Sequence, residues 1–281
     1  QTTLKMVYAE NSFINNNTTD FNLLGIPYQN KQFEIHNYPY SDHKLVISDL
    51  ITNIGNAAEI DYAEVPSPTL LQKRLFQHTK TLFWNQALTS ALPLGQISSH
   101  ALPYQQQSLE LTQMLIDDFN SQGLKITDTL LENDGKYIKN VISSQNNNWY
   151  LCSEIQNFCA SYFYLPESIT DQFGNTTTME YDTYHLFPVT ITNALGFQTT
   201  AEYNYHYLQP WKLTEPNGNS QEVAFSTLGM VTKLALIGKN GEGDTLDDPT
   251  ELYEYDIHCW QSSQKPVYAY VKKRELHGME N

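Results

Sequence analysis

The sequence predicts a mainly β protein: an extended antiparallel β-strip, with two or three short helices in the N-terminal half. Three observations point there. The second half repeats at a period of 22 residues, with Gly174, Gly196 and Gly218 in one register, Tyr181, Tyr203 and Phe225 in a second, Asp182, Asn204 and Ser226 in a third, and Pro188 and Pro210 in a fourth. Within each unit apolar and polar residues alternate with the period of 2 that a half-buried strand requires. Aromatics make up 12% of the chain and charged residues only 17%, which favours ordered, pleated surfaces over a solvated tail.

Taken in order, LKMVYAE alternates, the asparagines Asn15 to Asn17 interrupt it, and QFEIHNY alternates again, so the first forty residues read as strands and loops. Ser41 and Asp42 offer N-cap oxygens to HKLVISDLITNI. There Val46, Leu50, Ile51 and Ile54 share one helical face and Gly55 follows as a stop. Thr79, Thr81, Phe83 and Trp84 favour a strand from about Arg74 to Trp84. A second helix is predicted from Leu111 to Asn120, where Leu111, Met114, Leu115 and Phe119 form an apolar stripe and Gly123 supplies the break. Asn146 to Asn148 mark a loop, and the repeats begin beyond Phe163. The expected division is therefore 1–162, strands plus short helices, and 163–281, the repeat strip.

A unit of about 22 residues holds two strands of roughly seven residues with a turn after each, and it cannot bury its own face without stacking on neighbours. In TTTMEYD, Thr177, Met179 and Tyr181 face one way and Thr176, Thr178 and Glu180 the other. Val189 and Ile191 oppose Thr190 and Thr192, while Ala201, Tyr203 and Tyr205 oppose Glu202, Asn204 and His206. The glycines occupy a turn position where a positive φ is cheap for Gly alone. Asp171, Asn193 and Glu215 precede them by three, and Asp or Asn there caps the turn through a side-chain oxygen; Glu does so less well. After GKNGEGDTLDDP the next Tyr-Asp pair is Tyr255 and Asp256.

At 281 residues the chain is long enough to bury a substantial core. Its formal charge of -15 argues against nucleic acid and against anionic membrane surfaces. No run reaches the length of a membrane span, and QTTLKMVYAEN lacks a secretory signal, as an excised piece of a longer polypeptide would. Cys152, Cys159 and Cys259 suit buried thiols better than a disulfide framework or a zinc site.

DQFGNTTTMEYD, from Asp171 to Asp182, with its spaced Gly and Tyr positions, resembles the tyrosine-aspartate (YD) repeats of the rearrangement-hotspot (RHS) family. LFWNQALTSALPLGQISSHALPYQ, from Leu82 to Gln105, and YFYLPESITDQFGNTTTMEYD, from Tyr162 to Asp182, resemble the middle region of the B component of Tc insecticidal toxin complexes, which plasmid-virulence B proteins share. The resemblance implies that Asp171, Gly174, Tyr181, Asp182, Gly196, Tyr203, Gly218, Phe225, Tyr255 and Asp256 are architectural repeat residues. It also implies a secreted, extracellular assembly: a hollow β-shell built with an RHS-repeat C-component subunit around that subunit's toxic cargo. A channel-forming A component would attach through segments not represented in this chain.

No motif for catalysis competes with that reading. The histidines His36, His43, His78, His100, His185, His206, His258 and His277 lack metal-ligand spacing. Glu242, Asp244, Asp247 and Asp248 depart from a calcium-loop pattern and read as a solvated loop. Lys272, Lys273 and Arg274 read as a solvated strand edge. Glu154, Glu167, Glu180 and Glu202 are not brought into a facing pair by anything in the sequence, and Trp84, Trp149, Trp211 and Trp260 suit an inner packing layer better than sugar stacking. The expectation is a non-enzymatic chain without cofactor or metal, with no nucleic acid partner and no membrane insertion, whose work is to enclose and protect a toxic polypeptide for delivery. The alternative is a cell-surface or carbohydrate-recognition module on RHS-like repeats.

Overall fold

A computed structural model describes residues 6–18, 21–39, 46–141 and 147–275. They form two open, mainly antiparallel sheets, the fold class that the sequence predicts. The first contains β1 (Met6–Asn17), β2 (Asn22–His36), β3 (Ala58–Ile60), β4 (Gln72–Phe83), β5 (Pro103–Thr112), β6 (Ile138–Val141) and β7 (Asn147–Cys152), in the order β1-β2-β4-β5-β7-β6 with β3 beside β4. The second contains β8 (Ile155–Cys159), β9 (Leu165–Thr170), β10 (Thr176–Tyr181), β11 (Pro188–Thr192), β12 (Gln198–Asn204), β13 (Gln209–Thr214), β14 (Ser220–Phe225), β15 (Val231–Ile237), β16 (Glu251–Asp256) and β17 (Tyr268–Lys273). Its ten strands are adjacent in strict sequence order. By contacts the chain divides into two compact units, Gln1–Phe158 with Ile169–Asn175 and Cys159–Ser168 with Thr176–Asn281.

The first unit buries its apolar residues in three small clusters rather than one substantial core. Phe33, Ile35 and Ile54 form one, Ile14, Phe83 and Ile97 another, and Ile116, Leu131 and Trp149 the third. The reason is geometric: a long twisted sheet offers one face, and each short helix or loop covers only part of it.

Helix α1 (Ile47–Asn56) has Val46 at its N-cap; Ser41 and Asp42, expected there, lie outside the described residues. Gly55 is inside the helix, not its stop, and Ala57 ends it in extended conformation. Of the expected face only Ile54 is buried and Leu50 packs beside it, while Val46 and Ile51 are 55% and 56% exposed. The helix meets the sheet mainly through Ile54 against Phe33 and Ile35 of β2. Helix α2 (Gln113–Ser121) begins later than the pattern predicts because β5 holds Leu111 and Thr112 extended opposite Trp149 and Asn148 of β7. With that start Ile116 turns inward and Met114 stays 40% exposed. Thr112 caps it, its hydroxyl accepting from Leu115 N–H at 3.4 Å. Gly123 ends it at φ +98, with Gly123 N–H bonding Asn120 O and Leu124 N–H bonding Phe119 O, the paired bonds of a Schellman motif.

Strand β4 matches the expected strand within two residues. Strand β5, the parallel β3, a π-helical turn at Leu130–Asp134 and the short helix α3 (Cys259–Ser263) have no counterpart in the sequence reading. Three residues of β3 carry too little alternation to be read, and the run Gln105 to Gln107 breaks the alternation in β5.

Candidate functional site

The repeat strip is where the sequence concentrates its signal. Gly174, Gly196 and Gly218 adopt φ of +86, +81 and +87. At each, the glycine N–H bonds the carbonyl three residues back, on Asp171, Asn193 and Glu215, and those residues' own N–H groups bond Asn175, Phe197 and Asn219 carbonyls. Asp171 Oδ1 also accepts from Phe173 and Asn175 N–H at 2.8 Å each, and Asn193 Oδ1 from Leu195 and Phe197 N–H at 3.0 Å. The side-chain hydrogen bond from Asn175, aided by the turn's N–H groups, holds the Asp171 carboxyl below its ordinary range. In the third turn Asn217, not Glu215, supplies the oxygen, to Asn219 N–H at 2.9 Å. A fourth turn of the same form spans Ser226 to Gly229, whose φ is +76; the spacing Ser-x-x-Gly signals it.

The tyrosine register marks a second device. Immediately before Tyr181, Tyr203 and Phe225 the strand pairing slips, so that these residues stand opposite Pro188, Pro210 and Val231. At the first two positions the bulge accommodates a proline that has no N–H to give the ladder, and the third keeps the same slip with Val231 in place of proline. The Tyr181 hydroxyl donates to Pro166 O at 2.7 Å, and burial pushes its pKa up. Tyr203 stacks on Phe187 with centroids 4.4 Å apart, and Phe225 lies 5.5 Å from Tyr207.

Asp182 is buried. Its Oδ1 accepts from Leu186 N–H at 2.7 Å and Phe187 N–H at 3.3 Å, and its Oδ2 from the Tyr205 hydroxyl at 2.6 Å. Burial pushes this carboxyl up, but those hydrogen bonds together hold it below its ordinary value. The same bond, with burial, pushes Tyr205 up to about 12. Tyr205 therefore belongs to a turn and not to the strand face expected for it. Tyr255 and Asp256 close β16 opposite Ala269 and Tyr268, and Asp256 Oδ1 accepts from His258 N–H at 3.1 Å.

Across the strip, paired residues share a face. Ala201, Leu213, Gln221 and Leu236 align in one row, with Met179 and Ile191 aligned farther along. Glu180, Thr190, Thr200, Thr214 and Ser220 align on the other face. Ile191, Leu213 and Leu236 are 40%, 38% and 41% exposed, so the apolar face is partly open. An open groove of about 420 Å³ runs over Leu213, Gln221, Leu236 and Glu242.

The remaining candidates separate. His43 and His277 lie outside the described residues. His36 pairs with Glu34 at 3.1 Å, and His185 stacks on Tyr162 at 3.9 Å. Among the described residues no three His, Cys, Asp or Glu side chains are grouped to hold a metal. The acidic loop is not simply solvated: Asp244 is fully buried, accepting from Thr250 at 2.6 Å and Arg274 at 3.1 Å. The basic cluster does lie at a solvated strand edge, with Lys272 and Lys273 exposed on β17 and meeting Glu254 and Glu251, while Arg274 turns inward to Asp244 and also bonds Asp248. Arg274, just past the end of β17, reaches back to the loop between β15 and β16 and draws Asp244 inward. Glu154, Glu167, Glu180 and Glu202 are all exposed. Trp149 is fully buried, and Trp84 is buried with its indole donating to Gln156 O at 2.9 Å. Trp260, at 59% exposed, is outside any packing layer because α3 turns it outward. All three cysteines are free, with Cys152 and Cys259 buried and Cys159 half-buried.

No family model matches the chain, and no curated protein does. Solved structures do match. The crystal structure of TcdB2-TccC3 superposes at TM-score 0.72 with 15% identity, over 96% of this chain and 14% of that one. The chain has the fold of a segment of a Tc toxin TcdB2-TccC3 complex. A TcdB2-TccC3-TEV structure matches at TM-score 0.68 and 16% identity over 91% of this chain and 13% of that one. The Tc holotoxin pore of Photorhabdus luminescens matches at 0.65 and 18% over 83% and 11%. This chain thus spans about a seventh of the length of the first of these relatives in fold. Both blocks that carry the sequence resemblance fall in elements of this fold: Leu82–Gln105 joins β4 to β5, and Tyr162–Asp182 runs through β9 and β10.

Proposed function

We propose that this chain is a structural, non-catalytic wall segment of a toxin-complex shell, a B-component middle region followed by RHS repeats. In that reading the complex encloses and protects a toxic polypeptide for delivery outside the producing cell. One observation carries the reading: ten strands follow one another in sequence order with turns on both sides and an apolar row left open. Such a sheet grows by repetition, with ladder hydrogen bonds making the wall continuous and no separate core needed per unit. Agreement with the fold of TcdB2-TccC3 over nearly the whole chain supports it. The partners are then an RHS-repeat C-component subunit with its cargo, and a channel-forming A component bound through other segments. Among the described residues no helix is long and apolar enough to cross a membrane.

The test uses the full-length protein assembled with its partner subunit. Added protease should leave the cargo segment intact in the assembly and degrade it once the subunits are separated. Equal degradation in both states rejects enclosure.

A further inference from the structure

His78 is the one buried histidine among the described residues, 6% exposed in the middle of β4. Its Nδ1 lies 2.7 Å from the Tyr150 hydroxyl on β7, and its Nε2 lies 2.7 Å from the Gln29 amide nitrogen on β2. The ring stands edge-on to Tyr150 with centroids 5.5 Å apart. Lys31 of β2 is its cross-strand partner, and Lys80, two residues along β4, sets its ammonium 3.9 Å from the Tyr150 ring centroid. Strand β7 adds two neutral titratable groups, Tyr150 and Cys152, both pushed up by burial. Strand β5 presents uncharged Gln107 beside Lys80 and Leu109 beside Tyr150. Among the described residues no carboxylate is within ion-pair distance of His78.

We propose that His78 makes the first sheet acid-labile, so that mild acidification loosens β2, β4 and β7 while the repeat strip stays formed. A neutral imidazole offers one donor and one acceptor, which the tyrosine hydroxyl and the glutamine amide satisfy. An imidazolium there is a buried charge beside two ammonium groups, and the carboxylate in the same row, Glu10 of β1, stands opposite Lys31 and not opposite His78. Burial first, then Lys80 and Lys31, lower the pKa from 6.5 to about 4. The unfolded chain therefore binds more protons than the folded one between these values. The stabilisation is complete above about pH 6.5 and is lost as pH falls toward 4, amounting to about 300-fold in the folding equilibrium. In the repeat strip the buried carboxylate Asp182 is held below its ordinary value, so its contribution persists until more acid conditions. The inference stands whether or not the chain encloses a polypeptide.

The test is made on the intact chain. Imidazole ¹H–¹⁵N spectra should show His78 neutral to well below pH 6. Amide exchange in β4, corrected for intrinsic rate, should rise about 20-fold relative to β12 between pH 7 and pH 5. His78→Gln should abolish that pH-dependent rise. Should this variant not fold, Lys31→Gln and Lys80→Gln decide, since each should move the wild-type titration midpoint upward. A His78 midpoint near 6.5, an unchanged midpoint in both lysine variants, or the same acid response in wild type and His78→Gln overturns the proposal.

Discussion

At Asp182 one carboxylate ties its own turn, through Leu186 and Phe187 N–H, to the next repeat's turn, through the Tyr205 hydroxyl. Asp182→Ala should therefore lower Tm more than Asp182→Asn, which keeps an acceptor for the turn. The pH dependence has a definite sign. Because the folded carboxyl is held low, its stabilisation is present above the ordinary carboxylate pKa and is lost as pH falls through the folded value. The Tm gap between wild type and Asp182→Ala should accordingly shrink in acid; a constant gap contradicts the assignment. Gly174 gives a cleaner backbone test, since nothing lies within 4 Å of an added Cβ. Gly174→Ala should cost about 1 kcal/mol from the positive φ alone, read as a shift of the urea midpoint. Gly218→Ala should cost more, because its Cβ meets Lys239 Cβ at 3.3 Å. Glycine spacing was legible in the sequence because a positive φ restricts residue type. The buried state of Asp182 was not, since Tyr205 reaches it from 23 residues away.

Among the elements, the helices separate pattern from packing. Ile116→Ala removes a side chain held between Leu131 and Trp149 and should cost about 2–5 kcal/mol. Ile51→Ala, on the exposed side of α1, should stay within about 0.5 kcal/mol although Ile51 belongs to the predicted apolar face and Ile116 does not. Chemical denaturation of the two variants checks the contrast. Sequence periodicity predicted both helices, but a period has no knowledge of where a neighbouring strand ends. The loop between β15 and β16 makes the same point with charge. Arg274 arrives 30 residues after Asp244 to neutralise it, and Arg274→Met would leave a buried carboxylate without its cation. That change should cost about 3–5 kcal/mol, and limited proteolysis should then cut between Gly238 and Thr250.

For the whole molecule the exposed strand edge matters most. Every residue of β17 is exposed along its length, and its apolar members Tyr268, Tyr270 and Val271 are 52%, 49% and 40% exposed. An open edge of this kind templates further pairing. Light scattering of the isolated chain should show association that rises with concentration and weakens in Val271→Lys; a sharp monomer at high concentration counts against it. The amino-acid sequence by itself determined that the second half is a strip of short strands, where its turns fall, and which residues repeat. Those properties depend on neighbours within a few positions, through the alternation of side chains and the steric demand for glycine. Only the tertiary structure decided that the first unit divides its core into three clusters, that Asp244 is buried against Arg274, and that His78 lies between Gln29 and Tyr150. Each of these brings together residues from distant strands, and their charge and burial are set by cross-strand register, which no local pattern encodes.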